Sequence, residues 1–420
     1  MLPDRCAALV AAVPLDDTHP VAVVVDLAAL DATAAAVRAA LPTLRLHFAL
    51  KALPLPAVAQ RLGAAGFGLE AASGPELELA LALAPAADVV YDAPVKTDAE
   101  LRRALGTGVL LHADHLDELE RIAALRPGPG ARVGLRVNPG LPPGRIAATT
   151  TASPGSKFGE DLRAHRAAIV AAFARHPWLR GLLVHIGSQG EDPARIVEGA
   201  RALCALAAEI RAAGGHVDSL DLGGGLPVDY GADPVGPADA DLHAFAAALR
   251  AGAPALFHGE PVVRMEPGRR LVAKAAVVVS RVEAAKWSGG RRILLTHAGA
   301  DLFVRTAYQP ETWPHRLSLH QPSGAPVAGD PVETDVAGPL CFSGDRLATA
   351  RLLPPAVRGD RLVVHDAGAY TLAMWSRYNS RRSPPVFGWD GAALSLLRAG
   401  ESTADVLAFW GLPAGAPRPA

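Results

Sequence analysis

Arg45-Leu46-His47-Phe48-Ala49-Leu50-Lys51-Ala52, continued by Leu53-Pro54-Leu55-Pro56, decides how the rest of the chain is read. The run up to Leu50 is short, apolar and bulky, as a buried strand of a parallel sheet is. The prolines that follow forbid an immediate helix, so the strand ends in a turn, and its end carries a lysine. An ammonium at the end of an interior strand is costly unless something uses it. A buried lysine also gives up its proton readily and forms imines with carbonyl compounds. Lysine is otherwise scarce, with only Lys96, Lys157, Lys274 and Lys286 elsewhere. The plain alternative is a lysine whose stem lies on the rim and whose tip reaches water. The surroundings of the stretch decide between the two.

On either side the chain alternates. Strand-like runs recur at 66–71, 89–92, 109–112, 132–137, 181–185, 219–222 and 262–265. Helical runs separate them at 56–65, 75–83, 98–105, 116–124, 163–175, 193–213 and 238–251. With the lysine strand and the helix 28–40 before it, the pattern is eight strands and eight helices. Such repetition implies a parallel sheet with helical crossovers, and eight units match a closed (β/α)8 barrel. After residue 267 the texture becomes β-like, at 272–281, 292–296, 331–337, 361–365 and 386–389, with Gly and Pro turns between the runs. The fold class expected is therefore α/β plus β. Residues 27–266 would form the barrel, and 1–26 with 267–420 a β-rich domain that takes in the early valine strand at 21–25. Segments 140–156 and 231–237 read as loops long enough to be lids or substrate contacts.

Composition narrows the function. At 420 residues, half of them apolar, the chain has material for two cores. A net charge of −1 gives no basic footprint for nucleic acid. Cys6, Cys204 and Cys341 lie far apart, in neither a metal spacing nor a disulfide framework, which suits a reducing, cytoplasmic setting. No apolar run approaches the roughly 18 residues of a membrane span. Residues 7–13, flanked by Asp4 and Asp16, make a poor signal peptide. His112 and His115 are close in sequence but lack the carboxylate spacing of a metal site, so no metal is expected.

In a barrel of this kind chemistry gathers at the C-terminal ends of the strands. Those ends carry Lys51, Glu70, Arg136 with Asn138, His185-Ile186-Gly187-Ser188-Gln189, Asp221-Leu222-Gly223-Gly224-Gly225 and Glu266-Pro267-Gly268-Arg269. Singly each has an ordinary explanation: a satisfied core histidine, a Glu70–Arg136 barrel ion pair, a tight glycine turn. Glycines after the seventh and eighth strands, however, stand where barrels hold a phosphate on backbone N–H groups. A lysine, a phosphate cradle, a buried acid and a histidine on one rim are the parts that pyridoxal phosphate requires.

Six motifs in order then carry a resemblance over nearly the whole chain. They are Phe48-Ala49-Leu50-Lys51-Ala52, His185-Ile186-Gly187-Ser188, Gly223-Gly224-Gly225, Glu266-Pro267-Gly268-Arg269, the segment from Gly338-Pro339-Leu340-Cys341 through Phe342-Ser343-Gly344-Asp345, and Gly368-Ala369-Tyr370. Together they resemble the fold-type III pyridoxal-phosphate decarboxylases, the ornithine/diaminopimelate/arginine decarboxylase family, most closely its diaminopimelate branch. The resemblance implies an alanine-racemase-like barrel with a C-terminal β domain, assembled as a homodimer with shared active sites. Lys51 would bind the cofactor as an imine and His185 would stack on its ring. Ser188, Gly223, Gly224, Gly225, Gly268, Arg269 and Tyr370 would surround its phosphate. Glu266 would pair with the pyridine nitrogen, while Glu70 and Arg136 would flank the ring. Carbon dioxide would leave with its electrons taken up by the pyridinium. Cys341, reaching the partner's site, would return a proton to Cα. Lys157 and Asp345 match the family's ion pair between subunits.

One position departs from the pattern. After the cysteine the diaminopimelate enzymes usually carry a glutamate, and the ornithine enzymes an aspartate, facing the substrate's distal ammonium; here the residue is Phe342. Arg305 and Tyr308 still match the pair that receives a distal carboxylate, with Arg269 beside them, and Glu311 or Asp301 are acids that can stand in for the lost one. Trp375, Arg377, Tyr378 and Asn379 also match positions near the substrate. The expected activity is thus amino-acid decarboxylation of the diaminopimelate type. Its alternatives are a decarboxylase of another basic or carboxylate-bearing amino acid, a racemase on the same cofactor, or a catalytically silent relative.

Overall fold

The strand Arg45–Ala49 (β1) is buried at every residue after the first, as its apolar run requires. The computed structural model describes residues 3–189, 192–231 and 238–412. It divides into two units: Asp31–Val228 with Pro237–Leu271, and Met1–Leu30 with Asp229–Gly236 and Val272–Ala420.

In the first unit β1 is joined by Gly68–Ala71 (β2), Val89–Tyr91 (β3), Leu110–Ala113 (β4), Arg132–Asn138 (β5), Leu179–Leu183 (β6), Ser219–Asp221 (β7) and Val262–Met265 (β8). Among the described residues these eight pair in chain order, all parallel, and β8 closes on β1 through Met265 opposite Leu46. The ring is a closed (β/α)8 barrel, and a parallel ring puts every C-terminal strand end on one rim. Both faces of each strand are covered, which is why the strands read as unbroken apolar runs rather than alternating ones.

The crossover helices start where their sequences permit. Pro56 occupies the first turn of Pro56–Ala64, where a missing N–H costs nothing. Thr97 and Glu100 form a reciprocal capping box on Asp98–Thr107. Ser73, Asp161 and Asp192 cap three more helices with their side chains. Of the expected 231–237 loop, residues 232–237 lie outside the described residues. The 140–156 loop is laid along the chain after β6: Thr151 N donates to Ile186 O at 3.0 Å and Ser188 N to Thr149 O at 3.0 Å. Inside the barrel, β5 and β6 pass close to His112 of β4. A Cβ on Gly134 would meet its Nδ1 at 2.3 Å, and one on Gly181 would meet Gly134 Cα at 3.1 Å.

The second unit is β-rich. The valine strand Val21–Asp26 belongs to it, antiparallel to Ala276–Ser288 and parallel to Val386–Trp389. Ala276–Ser288 turns through Gly289-Gly290, both at positive φ, into Arg291–Thr296. That strand pairs with Val332–Ala337, which pairs with Arg346–Leu353. Leu317–His320 and Leu394–Arg398 complete the sheet among the described residues, against Arg361–Val364 and Val386–Trp389. Cys6, Leu9, Val10 and Val13 of the first helix pack on Ala22, Val24, Val277, Val279, Val363 and Trp389. The strand expected at 272–281 is corrected at its start: Arg269–Val272 is a helical turn and Ala273–Ala275 a 3-10 turn, and the strand begins at Ala276. Lys, Arg and Ala in that stretch favour helix, and the β-branched run proper is Val277–Val279.

Candidate active site

Lys51 lies in a 3-10 turn, Leu50–Ala52, directly after β1. The turn is closed by Leu53 N donating to Leu50 O at 2.9 Å. Nζ donates to Glu70 Oε2, at the end of β2, at 2.5 Å. Glu70 is wholly buried, and one carboxylate oxygen each from Glu70, Asp92 and Glu266 lie within 4.8 Å of one another. Asp92 ends β3 and Glu266 ends β8, so three strand ends converge on the lysine's neighbourhood. Burial drives the Glu70 carboxyl well above the ordinary carboxylate range, against the pull of Lys51. Burial pushes Asp92 the same way, but Lys51, a hydrogen bond with Glu70 and Arg136 outweigh it and hold Asp92 low. The two neighbouring carboxyls are thus driven in opposite directions. Glu266 is raised strongly by burial and by Asp221, Asp92 and Glu70, and neither of its oxygens has a hydrogen-bond partner among the described residues.

Arg136 does not pair with Glu70. It lies 3.9 Å from both Asp92 and Asp114, with its guanidinium 4.5 Å from the centre of the Phe158 ring. Five buried acids, Glu70, Asp92, Asp114, Asp221 and Glu266, thus outnumber the nearby cations Lys51 and Arg136. The rim is short of positive charge, and Glu266 is the acid with nothing to hold.

The remaining motifs build the other side of the rim. Gly223, Gly224 and Gly225 form a turn in which a Cβ would strike His185 at 2.8 Å, Glu266 O at 2.6 Å and Gly187 O at 2.6 Å respectively. Gly223 at φ +63° and Gly225 at φ +105° take backbone angles that suit glycine. Asp221 Oδ1 holds this turn by accepting from Gly223 N at 2.9 Å. Burial raises the Asp221 carboxyl to about 6. Ser188 Oγ accepts from Arg269 Nε at 3.2 Å and Nη2 at 3.1 Å, so the ends of β6 and β8 meet beside the glycines. The Gln189 amide clasps Val228 twice, Nε2 donating to its O at 2.6 Å and Oε1 accepting from its N at 3.0 Å. Gly268 is fixed by close packing, since a Cβ there would lie 3.0 Å from Ala49 Cβ. His185 is neutral: burial, with Arg136 and Lys51 nearby, lowers its imidazole to about 3. Thr151 Oγ1 sits 3.3 Å from its Nδ1 and donates to its carbonyl at 2.6 Å.

The other named residues lie in the β-rich unit. Arg305 lies 4.5 Å from the Tyr370 ring centre and 4.8 Å from Trp313. Phe342 stacks on Tyr308 at 5.9 Å and 17° and meets Tyr378 edge-on at 6.3 Å. Tyr308 and Tyr378 are exposed, and so is Cys341, whose backbone N donates to Asn379 Oδ1 at 2.7 Å. Buried Asp345 shapes this loop, accepting from Ala300 N and Leu340 N at 2.6 Å each. Asp301 is likewise buried and accepts from Gly299 N and Leu302 N. Arg377 is held by both oxygens of Glu401 and belongs to the framework.

Sequence reading missed Asp92, Asp114, His112 and Thr151 as members of this neighbourhood. The two aspartates stand directly after apolar strands, in the same kind of position that singled out Lys51. The arrangement fits pyridoxal phosphate on two counts: a glycine turn that any side chain would fill, and an orphaned buried carboxylate suited to a protonated pyridine nitrogen.

Comparison with known proteins agrees. Residues 27–273 match the family model of the pyridoxal-dependent decarboxylase, pyridoxal binding domain. A diaminopimelate decarboxylase of Actinosynnema pretiosum is 37% identical over 91% of this chain and 87% of its own. The crystal structure of diaminopimelate decarboxylase from M. jannaschii in complex with L-lysine superposes with a TM-score of 0.82 at 25% identity, covering 97% of this chain and 98% of its own. A lysine/ornithine decarboxylase from Vibrio vulnificus, complexed with cadaverine, gives 0.76 at 27% identity over 88% and 94%. By family match and by identity across nearly its full length, this chain belongs to the pyridoxal-dependent decarboxylases, carboxy-lyases that work with pyridoxal phosphate.

Proposed function

We propose that this carboxy-lyase acts on an α-amino acid that bears a carboxylate at its far end and lacks the free distal ammonium of diaminopimelate. The observation that carries the reading is the setting of Phe342, stacked on Tyr308 and edge-on to Tyr378 where an acid would be needed to receive an ammonium. Of the two acids named as stand-ins, Asp301 is buried and engaged with backbone N–H groups, which disfavours it as a replacement, while Glu311 is exposed. Arg305 and Tyr308 supply a cation and a hydroxyl for the distal carboxylate.

In this reading Lys51 Nζ would hold the cofactor. Gly223, Gly224, Gly225, Ser188, Gly268, Arg269 and Tyr370 hold its phosphate. When bound, pyridoxal phosphate supplies an electron sink for the pair left on Cα as carbon dioxide departs. Glu266 keeps a proton on the ring nitrogen. His185, lowered to about 3, would stack on the ring as a neutral imidazole without adding a competing cation. Glu70 and Arg136 would flank the ring, and the raised Glu70 carboxyl would limit the negative charge beside Lys51. The Cys341 thiol returns a proton to Cα. Its exposure in its own chain supports a homodimer in which each Cys341 serves the partner's site.

Carbon dioxide release from a panel of amino acids tests this: meso-diaminopimelate, lysine, ornithine, and ω-carboxylate amino acids without a distal amine. The last group should be the best substrates. A strong preference for meso-diaminopimelate would overturn the argument from Phe342.

A further inference from the structure

At the opposite end of the barrel from Lys51, the N-terminal ends of β4 to β8 enclose a cavity of about 370 Å³. Its lining includes Arg132, Arg180, Asp218, Ser219 and Arg264. Three guanidiniums thus face one carboxylate, and that carboxylate is taken: Arg180 Nε lies 2.8 Å from Asp218 Oδ2.

Arg264 is the unusual member. It is only 4% exposed, projects from an interior strand, and has no ion pair among the described residues. Nη1 donates to Ser219 Oγ at 2.5 Å, while the buried Nε has no partner among the described residues. Arg132 donates Nη1 to the carbonyls of Ala87 at 3.0 Å and Gly108 at 3.4 Å, and pairs with no acid among the described residues. Burial lowers both guanidiniums below their usual range, and the charge of Arg45 adds to the effect on each. Asp221 and Asp218 offset Arg264 only at longer range. Neighbouring His47 is neutral, lowered to about 3 by burial and by Arg264.

A buried guanidinium with no counter-ion is costly unless an anion in the cavity that it lines offsets its charge. Guanidinium's planar fork matches phosphate oxygens in pairs. The pocket is half open and roomy enough for a small hydrated anion. We propose that this basal cavity is an anion site that takes a compact phosphate-class dianion on Arg264 and Arg132, with Arg180 at its edge. Occupation would tie β5 to β8 from below, far from the chemistry at the other rim. It would stabilise the barrel without entering the reaction.

The test uses holoenzyme loaded with pyridoxal phosphate and then freed of the excess by gel filtration, so that the glycine turn is filled and no free phosphomonoester competes. Inorganic phosphate, and separately glycerol 3-phosphate, is titrated at ionic strength held constant with sodium chloride, with calorimetry and thermal unfolding as readouts. Saturable binding of inorganic phosphate with a rise in Tm is expected. A response to inorganic phosphate alone identifies the free ion as the ligand, and a tighter response to the ester identifies a phosphomonoester. Arg264→Met should weaken binding at least tenfold. Arg132→Gln, at a half-buried position, gives a second reading should the first variant fold poorly. No saturable response in the wild type overturns the proposal, and so does an undiminished response in either folded variant, which would place the anion elsewhere.

Discussion

Glu266→Gln separates the demands of the empty fold from those of catalysis, because the two move in opposite directions. Glu266 is 1% exposed, has no hydrogen-bond partner among the described residues, and crowds Glu70 and Asp92 within 4.8 Å. In the apoprotein its carboxyl is an unpaired polar group among like neighbours, and a neutral amide of the same shape relieves that crowding. In the holoenzyme, on the role proposed for Glu266, the same carboxylate would face a pyridinium. A contact ion pair at about 4 Å, in a site with an effective dielectric of about 20, contributes about 4 kcal/mol. A retained neutral hydrogen bond restores about 1 kcal/mol of this. The remaining ~3 kcal/mol, at 1.36 kcal/mol per decade, corresponds to a fall in kcat of about two orders of magnitude. The assay is carbon dioxide release at saturating substrate, with bound cofactor quantified by its absorbance and apoprotein Tm measured in parallel. Activity should fall about a hundredfold at full cofactor occupancy while apoprotein Tm holds or rises. A kcat within a few-fold of wild type refutes the pairing. An activity loss matched by apoprotein destabilisation refutes the claim that Glu266 is unsupported in the empty fold.

Gly224→Ala places a methyl 2.6 Å from Glu266 O, a backbone atom that cannot swing aside, and cofactor titration followed by absorbance should show affinity weakened tenfold or more. The Asp221 carboxyl is raised in the fold to about 6 against an unfolded value near 3.9, so its stabilising protonation is complete below about pH 4 and lost as pH rises through 6. Apoprotein Tm of Asp221→Asn, which keeps the acceptor for Gly223 N, should therefore gain on wild type as pH increases from 4.5 to 7; a constant difference across that range would refute the assignment. Lys96→Met strands Glu118, its fully buried partner at 2.8 Å, and should cost about 3–5 kcal/mol in urea denaturation. Phe342→Glu should shift the carbon dioxide assay toward substrates with a distal ammonium.

Much of the barrel was legible because buried parallel strands write themselves as apolar runs, and helices such as Asp98–Thr107 announce their starts with a Thr-x-x-Glu box. Lys51 stood out because a charge ended such a run before two prolines. Asp92 carried the same signal after Val89-Val90-Tyr91 and was passed over, since no family motif drew attention to it. The strands Arg346–Leu353 and Leu394–Arg398 gave no warning. They are largely exposed or only half-buried, and arginine and serine interrupt them, so burial imposes no periodicity on their sequence. The ordinary alternative for Arg136 is an ion pair with Glu70; its partners are instead Asp92 and Asp114, which depend on which strand ends meet across a closed ring, and spacing along the chain does not encode that.

His112 and the two glycines opposite it constrain one another. The imidazole fills room that exists only because Gly134 and Gly181 carry no side chain. None of the three positions is free to vary singly: a larger residue at Gly134 collides with the ring, one at Gly181 presses on the Gly134 backbone, and a smaller one at 112 opens a void. Across relatives these sites should change as a set, and a homologue that lacks the histidine is where an alanine or serine at either glycine position should be sought.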